Sequence, residues 1–276
     1  MEQLIQQFMD RYLSREEIAY RLPLSIPIGQ FWPVIEKVRK KNATSLPLKA
    51  QNGFPFWFVI NKTIEAQCDA VAAIARRSFV FDELSEKTME EATIDEAVWS
   101  SVIEGTFTSE AEAARIIRQN KSPSNKSEQM AKNNYQALLY VLEHLEAPIT
   151  AQTLIDIAHM VTCGASDETV EGFRTIPVYV TGREGIVYTP SDAAQVPALV
   201  DDLIAFFIDS ELHPLLKARI VHFYFVYVHP FTDGNGRTAR TLSYMMLLRT
   251  GCSFFRYFSI SKLIAQERGR YYKAMC

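Results

Sequence analysis

The sequence predicts an all-α protein with a single β-hairpin set against its helices, preceded by a smaller N-terminal region. Three observations carry this. From residue 89 onward, apolar residues recur at helical spacing through segment after segment, each closed by Gly or a polar loop. The clearest strand signal in that part is one pair of β-branched arms around TGREG. Neither an internal repeat nor a low-complexity tract suggests a solenoid or a disordered tail. Polar FDELSEKTME around 75–88 suggests a boundary, giving an accessory region over 1–75 and a main domain over 76–276.

Taken in order, residues 1–20 read as one helix, with Leu4, Ile5, Phe8, Met9 and Leu13 on one face. The Pro-containing stretch RLPLSIPIGQFWP follows, then a helix-like EKVRKK. Over 45–61 an Asn52-Gly53 turn sits between two apolar arms, a hairpin signal weakened by Pro47 and Pro55. Residues 62–78 return to helical spacing. EEATIDEAVWSSVIEG reads as a helix stopped at Gly105, and SEAEAARIIRQN as a helix running into the loop SPSNKS. SEQMAKNNYQALLYVLEHLE and TAQTLIDIAHMV are two more amphipathic helices. Val178-Tyr179-Val180 and Ile186-Val187-Tyr188 form the hairpin arms, and Gln195 to Phe207 returns to helix. Residues 214–228, PLLKARIVHFYFVYV, stay ambiguous: β-branched and aromatic residues favour strand, whereas length favours a buried helix. TARTLSYMMLLRTG is a helix ending at Gly251. The last helix, starting near Ser261, runs to Cys276 without a stop signal, which suggests a chain continuing further in the natural protein.

Composition narrows the function classes. Of 276 residues, 48% are hydrophobic and 22% charged, as in an ordinary globular protein, and the formal net charge is -3. That charge offers no general grip on nucleic acid. Cys68, Cys163, Cys252 and Cys276 form no CxxC pair, so zinc has little support, and they read as reduced thiols of a cytoplasmic protein. The N-terminus has no signal-peptide pattern, and the longest apolar runs are too short to span a bilayer, so no membrane partner is expected. A homo-oligomer is compatible with the composition.

Chemistry concentrates in His229-Pro-Phe-Thr-Asp-Gly-Asn-Gly-Arg-Thr-Ala-Arg240. GNG alone reads as a tight turn, and a lone His after an apolar segment as structural. Together they say more. Gly234, Asn235 and Gly236 allow converging backbone N–H groups, an anion nest at the start of a helix. Arg237 and Arg240 add two cations at an already positive helix end, an arrangement that makes sense with a highly charged anion such as a nucleoside triphosphate. Asp233 is placed to hold magnesium beside phosphates. His229 is the nearby group able to accept a proton near neutral pH. The set describes transfer from a nucleotide to a hydroxyl. No GxxxxGK[ST] loop is present, and as a calcium loop the stretch fails at Thr238 and Tyr244.

These residues resemble the Fic family motif, HPFx[D/E]GNGRxxR, at every defined position. The resemblance covers about 89–276, including the closing RxxYYxAM, and leaves 1–75 without a role. It implies an all-α core with a β-hairpin flap, a helix over 214–228, and AMP transfer from ATP to a Ser, Thr or Tyr hydroxyl of a target protein. By that resemblance His229 is the general base and Asp233 holds Mg. Gly234, Asn235, Gly236 and Arg237 bind the α- and β-phosphates, Arg240 pairs with the γ-phosphate, and Phe231 anchors the loop. Retention of GNGR favours AMP over phosphate as the transferred group; UMP transfer stays open.

Ser100-Ser-Val-Ile-Glu104-Gly105 is similar to the inhibitory helix of that family, [S/T]xxxE[G/N], here about 90–105. This implies that Glu104 pairs with Arg240 and keeps ATP in an unproductive pose, with Ser100 bracing the motif loop and possible self-modification when the pair is broken. The hairpin becomes a flap whose open edge could dock an extended target segment. Removal of AMP at the same site, with Glu104 positioning a water, is one alternative; an ATP-sensing adaptor is another. His144, His159, His213 and His222 read as core or helix-face residues. Tyr271 and Tyr272 read as packing for the last helix, with one of them beside the nucleoside as the alternative.

Overall fold

The computed structural model describes residues 2–11, 13–76, 86–106, 109–182 and 185–275; of Ala75 and Arg76 only the backbone is described. The proposed boundary segment therefore lies largely outside the described residues, as do Arg183 and Glu184 at the tip of the C-terminal hairpin. The chain divides into two compact units, Met1–Ile74 and Ala75–Cys276.

The first unit contains α1 (Glu2–Met9), α2 (Arg15–Arg21), α3 (Ile28–Lys41), β1 (Thr44–Lys49), β2 (Pro55–Phe58) and most of α4 (Lys62–Arg76). The single helix expected over 1–20 is two. Ser14 breaks it by starting α2 with a reciprocal cap: Glu17 N–H donates to Ser14 Oγ at 3.2 Å, and Ser14 N–H to Glu17 Oε2 at 2.9 Å. α3 begins earlier than EKVRKK and carries Pro33 inside it. The proline removes one helical hydrogen bond, but the turn also buries Phe31 and Ile35 against Phe8 and Ile18, and that apolar burial outweighs the loss. Phe8 and Phe31 meet edge to face at 5.8 Å. β1 and β2 pair antiparallel across the Asn52-Gly53 turn, with an irregular register between Ser45 and Lys49 that accommodates Pro47.

The second unit holds α5 (Glu86–Ile103), α6 (Glu110–Arg118), α7 (Lys126–Glu143), α8 (Ala151–Thr162), β3 (Val180–Gly182), β4 (Gly185–Tyr188), α9 (Val196–Asp209), α10 (Pro214–Val228), α11 (Asn235–Arg249), α12 (Ile260–Gln266) and α13 (Arg268–Met275). Side-chain oxygens of Ser109, Asn125 and Thr150 cap α6, α7 and α8, which fixes where each begins. The architecture is the all-α one the sequence predicts. α11 is buried at nearly every position and packs on α10, α8, α7 and α5. The ambiguous 214–228 segment is helical. Pro214 occupies the first turn, His213 Nδ1 accepts from Leu215 N–H at 3.3 Å, and burial against α9 and α11 overrides the strand propensity of its Val and aromatic residues.

The hairpin is shorter than its apolar arms suggest. Val178 and Tyr179 precede the strand, and pairing runs Val180↔Tyr188, Thr181↔Ile186 and Gly182↔Gly185 with a shift after Val180. No helix among the described residues is long and apolar enough to cross a membrane.

Candidate active site

α10 ends at Val228, and His229 turns the chain with φ 52 and ψ 60, a left-handed conformation uncommon for a residue with a side chain. Its N–H closes the helix on Phe225 O at 2.9 Å. Its Nδ1 lies 3.2 Å from Val226 O, and a carbonyl can only accept, so Nδ1 carries the proton and Nε2 keeps a free lone pair. Burial pushes the imidazole pKa below the ordinary 6.5 against the opposing pull of the Val226 bond, so the ring is neutral near pH 7.

The turn after His229 is held from two sides. Phe231 is fully buried, stacked on Phe173 at 5.6 Å and tilted against Phe225 at 6.0 Å. Asn235 clasps the same residue: its Oδ1 accepts from Phe231 N–H at 3.0 Å and its Nδ2 donates to Phe231 O at 2.9 Å. The Asn235 side chain is therefore committed to the loop, and only its backbone N–H is left to an anion. Gly234 caps α11 with φ 74, where a Cβ would also press Thr162 Cγ2 at 2.8 Å.

Arg237 and Arg240, three residues apart, turn to different neighbours. Arg237 donates to Val161 O at the end of α8 and lies 3.4 Å from Asp233 Oδ1. Asp233 is half exposed; its Oδ2 accepts from Ser166 Oγ at 2.5 Å and its Oδ1 from Gly234 N–H at 2.5 Å. Arg240 is buried to 3% side-chain exposure and points to α5. Its Nε donates to Ser100 Oγ at 2.8 Å; its Nη2 donates to Ser100 O at 2.9 Å and to Glu104 Oε1 at 2.6 Å. Ser100 thus bonds the arginine, not the motif loop. Glu104 retains 32% side-chain exposure, and Gly105 follows it with φ 90.

The Glu104 carboxylate also fills the space over the first turn of α11. A Cβ built on Gly236 would collide with its Oε1, and the absence of that Cβ lets the carboxylate approach the helix N-terminus. An anion already sits beside the unpaired N–H groups of α11, and it is this chain's own.

Two further residues at the site carry no sequence signal of their own. Arg174 is a buried guanidinium that donates Nε to His229 O at 2.7 Å, Nη1 to Ile176 O at 3.2 Å, and Nη2 to Ser191 O and Val228 O. Its backbone N–H donates to Pro230 O at 2.9 Å. One cation therefore gathers the carbonyl end of α10 and both approaches to the hairpin, where the helix dipole favours it. Ser166 is the second, through Asp233. The flap side chains Tyr179, Ile186 and Val187 are exposed, whereas Tyr188 anchors β4 through Tyr188 Oη to Tyr227 O at 2.9 Å. His144, His159 and His213 make local backbone contacts away from His229. Among the described residues no group of three or more His, Cys, Asp or Glu could by itself hold a metal ion.

Residues 148–247 match the Fic/DOC family. Over 126 residues, 45% of this chain, the sequence is 35% identical to a Drosophila willistoni protein named protein adenylyltransferase Fic, of which 23% is covered. A Nematostella vectensis protein of the same name is 34% identical over 119 residues, 42% of this chain and 27% of that one. The chain thus spans about a quarter of the length of these curated relatives. A Fic family protein from Desulfovibrio desulfuricans superposes with a TM-score of 0.70 at 23% identity, over 79% of this chain and 67% of the other. Fic-1 from C. elegans superposes with a TM-score of 0.55 at 19% identity, over 91% and 66%. At these identities the likeness speaks for the fold. With the HPFTDGNGRTAR turn between α10 and α11 lying inside the matched residues, the chain carries a Fic domain over 148–247.

Proposed function

We propose that this chain is a self-restrained protein adenylyltransferase, moving AMP from ATP to a Ser, Thr or Tyr hydroxyl of a target protein in the cytoplasm. The observation that carries the reading is a neutral histidine with a free Nε2 beside a helix N-terminus whose anion position is taken by Glu104. The curated relatives named protein adenylyltransferase support it over the matched residues.

In the working state Glu104 leaves Arg240, and the triphosphate of ATP takes the carboxylate's place at the N-terminus of α11. Arg240 pairs with the γ-phosphate, and the N–H groups of Asn235 and Gly236 with Arg237 receive the α- and β-phosphates. His229 Nε2 takes the proton of the target hydroxyl as its oxygen bonds to the α-phosphorus. The bond from that phosphorus to the bridging oxygen breaks, and pyrophosphate leaves with the bonding pair. Asp233, half exposed and oriented by Ser166, would hold a magnesium ion, which would neutralise charge on the departing pyrophosphate. The exposed flap edge around Val180 and Ile186 fits an extended target segment.

Transfer of label from α-labelled ATP tests this. Glu104→Gly should label a target, or the chain itself, far more than wild type, and His229→Ala should abolish labelling in either background. Equal labelling by wild type and Glu104→Gly removes the restraint; labelling that survives His229→Ala removes the assigned base.

A further inference from the structure

Three consecutive main-chain carbonyls at His229 are held by one residue. Arg174 donates Nη2 to Val228 O at 3.4 Å, Nε to His229 O at 2.7 Å, and its own backbone N–H to Pro230 O at 2.9 Å. They are the last carbonyl of α10 and the two that follow it, at a helix end where carbonyls lack donors from the helix itself. His229 lies in the middle, in the left-handed conformation that a side chain ordinarily avoids. Holding the carbonyls before, at and after a residue holds its backbone angles, and with them the direction of its Cα–Cβ bond. The Nδ1 contact with Val226 O then sets the ring, so the aim of Nε2 depends on Arg174.

The same guanidinium faces the hairpin. Nη1 donates to Ile176 O at 3.2 Å, ahead of β3, and Nη2 to Ser191 O, after β4. A cation is a costly clamp here: Arg174 is 4% exposed, and burial lowers its pKa against the pull of the Asp192 charge. An amide or a hydroxyl would satisfy one or two carbonyls without that cost. Only a guanidinium offers five donors in one plane, enough to reach the base and the hairpin together. Its charge also acts on His229. Burial does most to lower the His229 pKa, the Val226 bond opposes it, and Arg174 lowers it further against Glu104 and Asp233.

We propose that Arg174 is a positioning residue for the transfer step: one rigid fork fixes the backbone of His229 and the root of the hairpin to each other, so that a hydroxyl docked along the hairpin meets Nε2 at reacting distance. This rests on the reading of His229 as the base. The effect falls on the chemical step and not on ATP binding. The residues assigned to the phosphates are held by other means, Asn235 by Phe231, Arg237 by Val161 O and Arg240 by Ser100.

The test uses the full chain carrying Glu104→Gly. Transfer from α-labelled ATP to lysate proteins is followed against pH at saturating ATP, and ATP binding with Mg²⁺ is measured by calorimetry. Arg174→Lys keeps the cation and loses the fork. It should lower the transfer rate about tenfold to a hundredfold, the effect of misplacing a reacting group by about an ångström, with ATP affinity unchanged. That loss should be the same at every pH through the neutral range, because the charge beside His229 is kept. Arg174→Gln removes the charge as well; it should lose rate likewise and regain part of it as pH rises, since the His229 pKa then moves up. Each variant is assayed below its own thermal unfolding midpoint. A rate unchanged in both variants, or rate and ATP affinity falling together, overturns the positioning role. So does a loss in Arg174→Lys that vanishes at alkaline pH, which would make the arginine a means of keeping His229 unprotonated. If the Glu104→Gly chain transfers label undiminished by His229→Ala, the base assignment fails instead, and the proposal falls with it.

Discussion

Replacing Glu104 should push stability and activity in opposite directions. At 2.6 Å the Glu104–Arg240 pair has a gross Coulomb attraction of roughly 6 kcal/mol at an effective dielectric constant of about 20. Most of that is offset, because the guanidinium is at 3% exposure and was desolvated to reach the pair. Removing one member of a fully buried pair costs about 3–5 kcal/mol. Here the carboxylate is 32% exposed, and Arg240 keeps both Ser100 contacts. Glu104→Gln should therefore cost about 1–2 kcal/mol, a fall in Tm of roughly 2–8 °C at this size. The amide still fills the space over Gly236, so it should relieve the restraint on ATP only in part, whereas Glu104→Gly clears it. Thermal unfolding with and without ATP and Mg²⁺ reads both effects. The ATP-induced rise in Tm should grow from wild type through Glu104→Gln to Glu104→Gly, because stabilisation by a ligand follows its affinity for the folded state. Identical ATP-induced shifts in all three proteins would refute the competition between Glu104 and the triphosphate for one arginine.

Gly236→Ala forces a Cβ into the Glu104 carboxylate and should destabilise the protein by about 1 kcal/mol or more; in the Glu104→Gly background that penalty should largely vanish, a non-additivity that a double-mutant cycle by urea unfolding measures. Arg174→Met strands the buried carbonyls of Ser191 and Val228 and releases those of His229 and Ile176, so chemical denaturation should show a loss of about 3 kcal/mol or more, with Arg174→Lys recovering only part because an ammonium lacks the planar fork. His222, with a folded pKa of about 3 against an unfolded value near 6.5, binds its proton more readily in the unfolded chain; its contribution to stability is present above about pH 6.5 and lost as pH falls toward 3. The slope from this one residue is about 1.4 kcal/mol per pH unit below the ordinary histidine range, so wild type minus His222→Gln, followed by urea unfolding from pH 7 to pH 5, should show it. The lowered pKa of His229 acts on rate in the same sense: as pH falls, transfer should decline at a more acid pH than an ordinary histidine base would give.

The sequence by itself determined what is local. Nest, base, carboxylate and both arginines fall within twelve consecutive residues, so their chemistry could be read together, and helical periodicity with Gly and polar stops marked most of the elements around them. Even the sides of the Glu104–Arg240 pair were legible, each inside its own short pattern. Local cues failed where two signals conflicted: the first twenty residues looked like one apolar face until Ser14 capped a second helix, and PLLKARIVHFYFVYV carried strand-type residues that only burial between α9 and α11 makes helical. Tertiary structure alone decided the rest. Ser100 could be expected near the motif, but that it takes both Nε and Nη2 of Arg240 depends on how α5 lies on α11. Arg174 lies 55 residues from the histidine whose carbonyl it holds, and nothing in GFRT marks it. Tyr271 reaches His222 across 49 residues, in a segment whose start Ser259 and Ser261 fasten to Glu96. A buried guanidinium or phenol is chosen by the acceptors that packing leaves around it, and those acceptors come from elements that only the folded chain brings together.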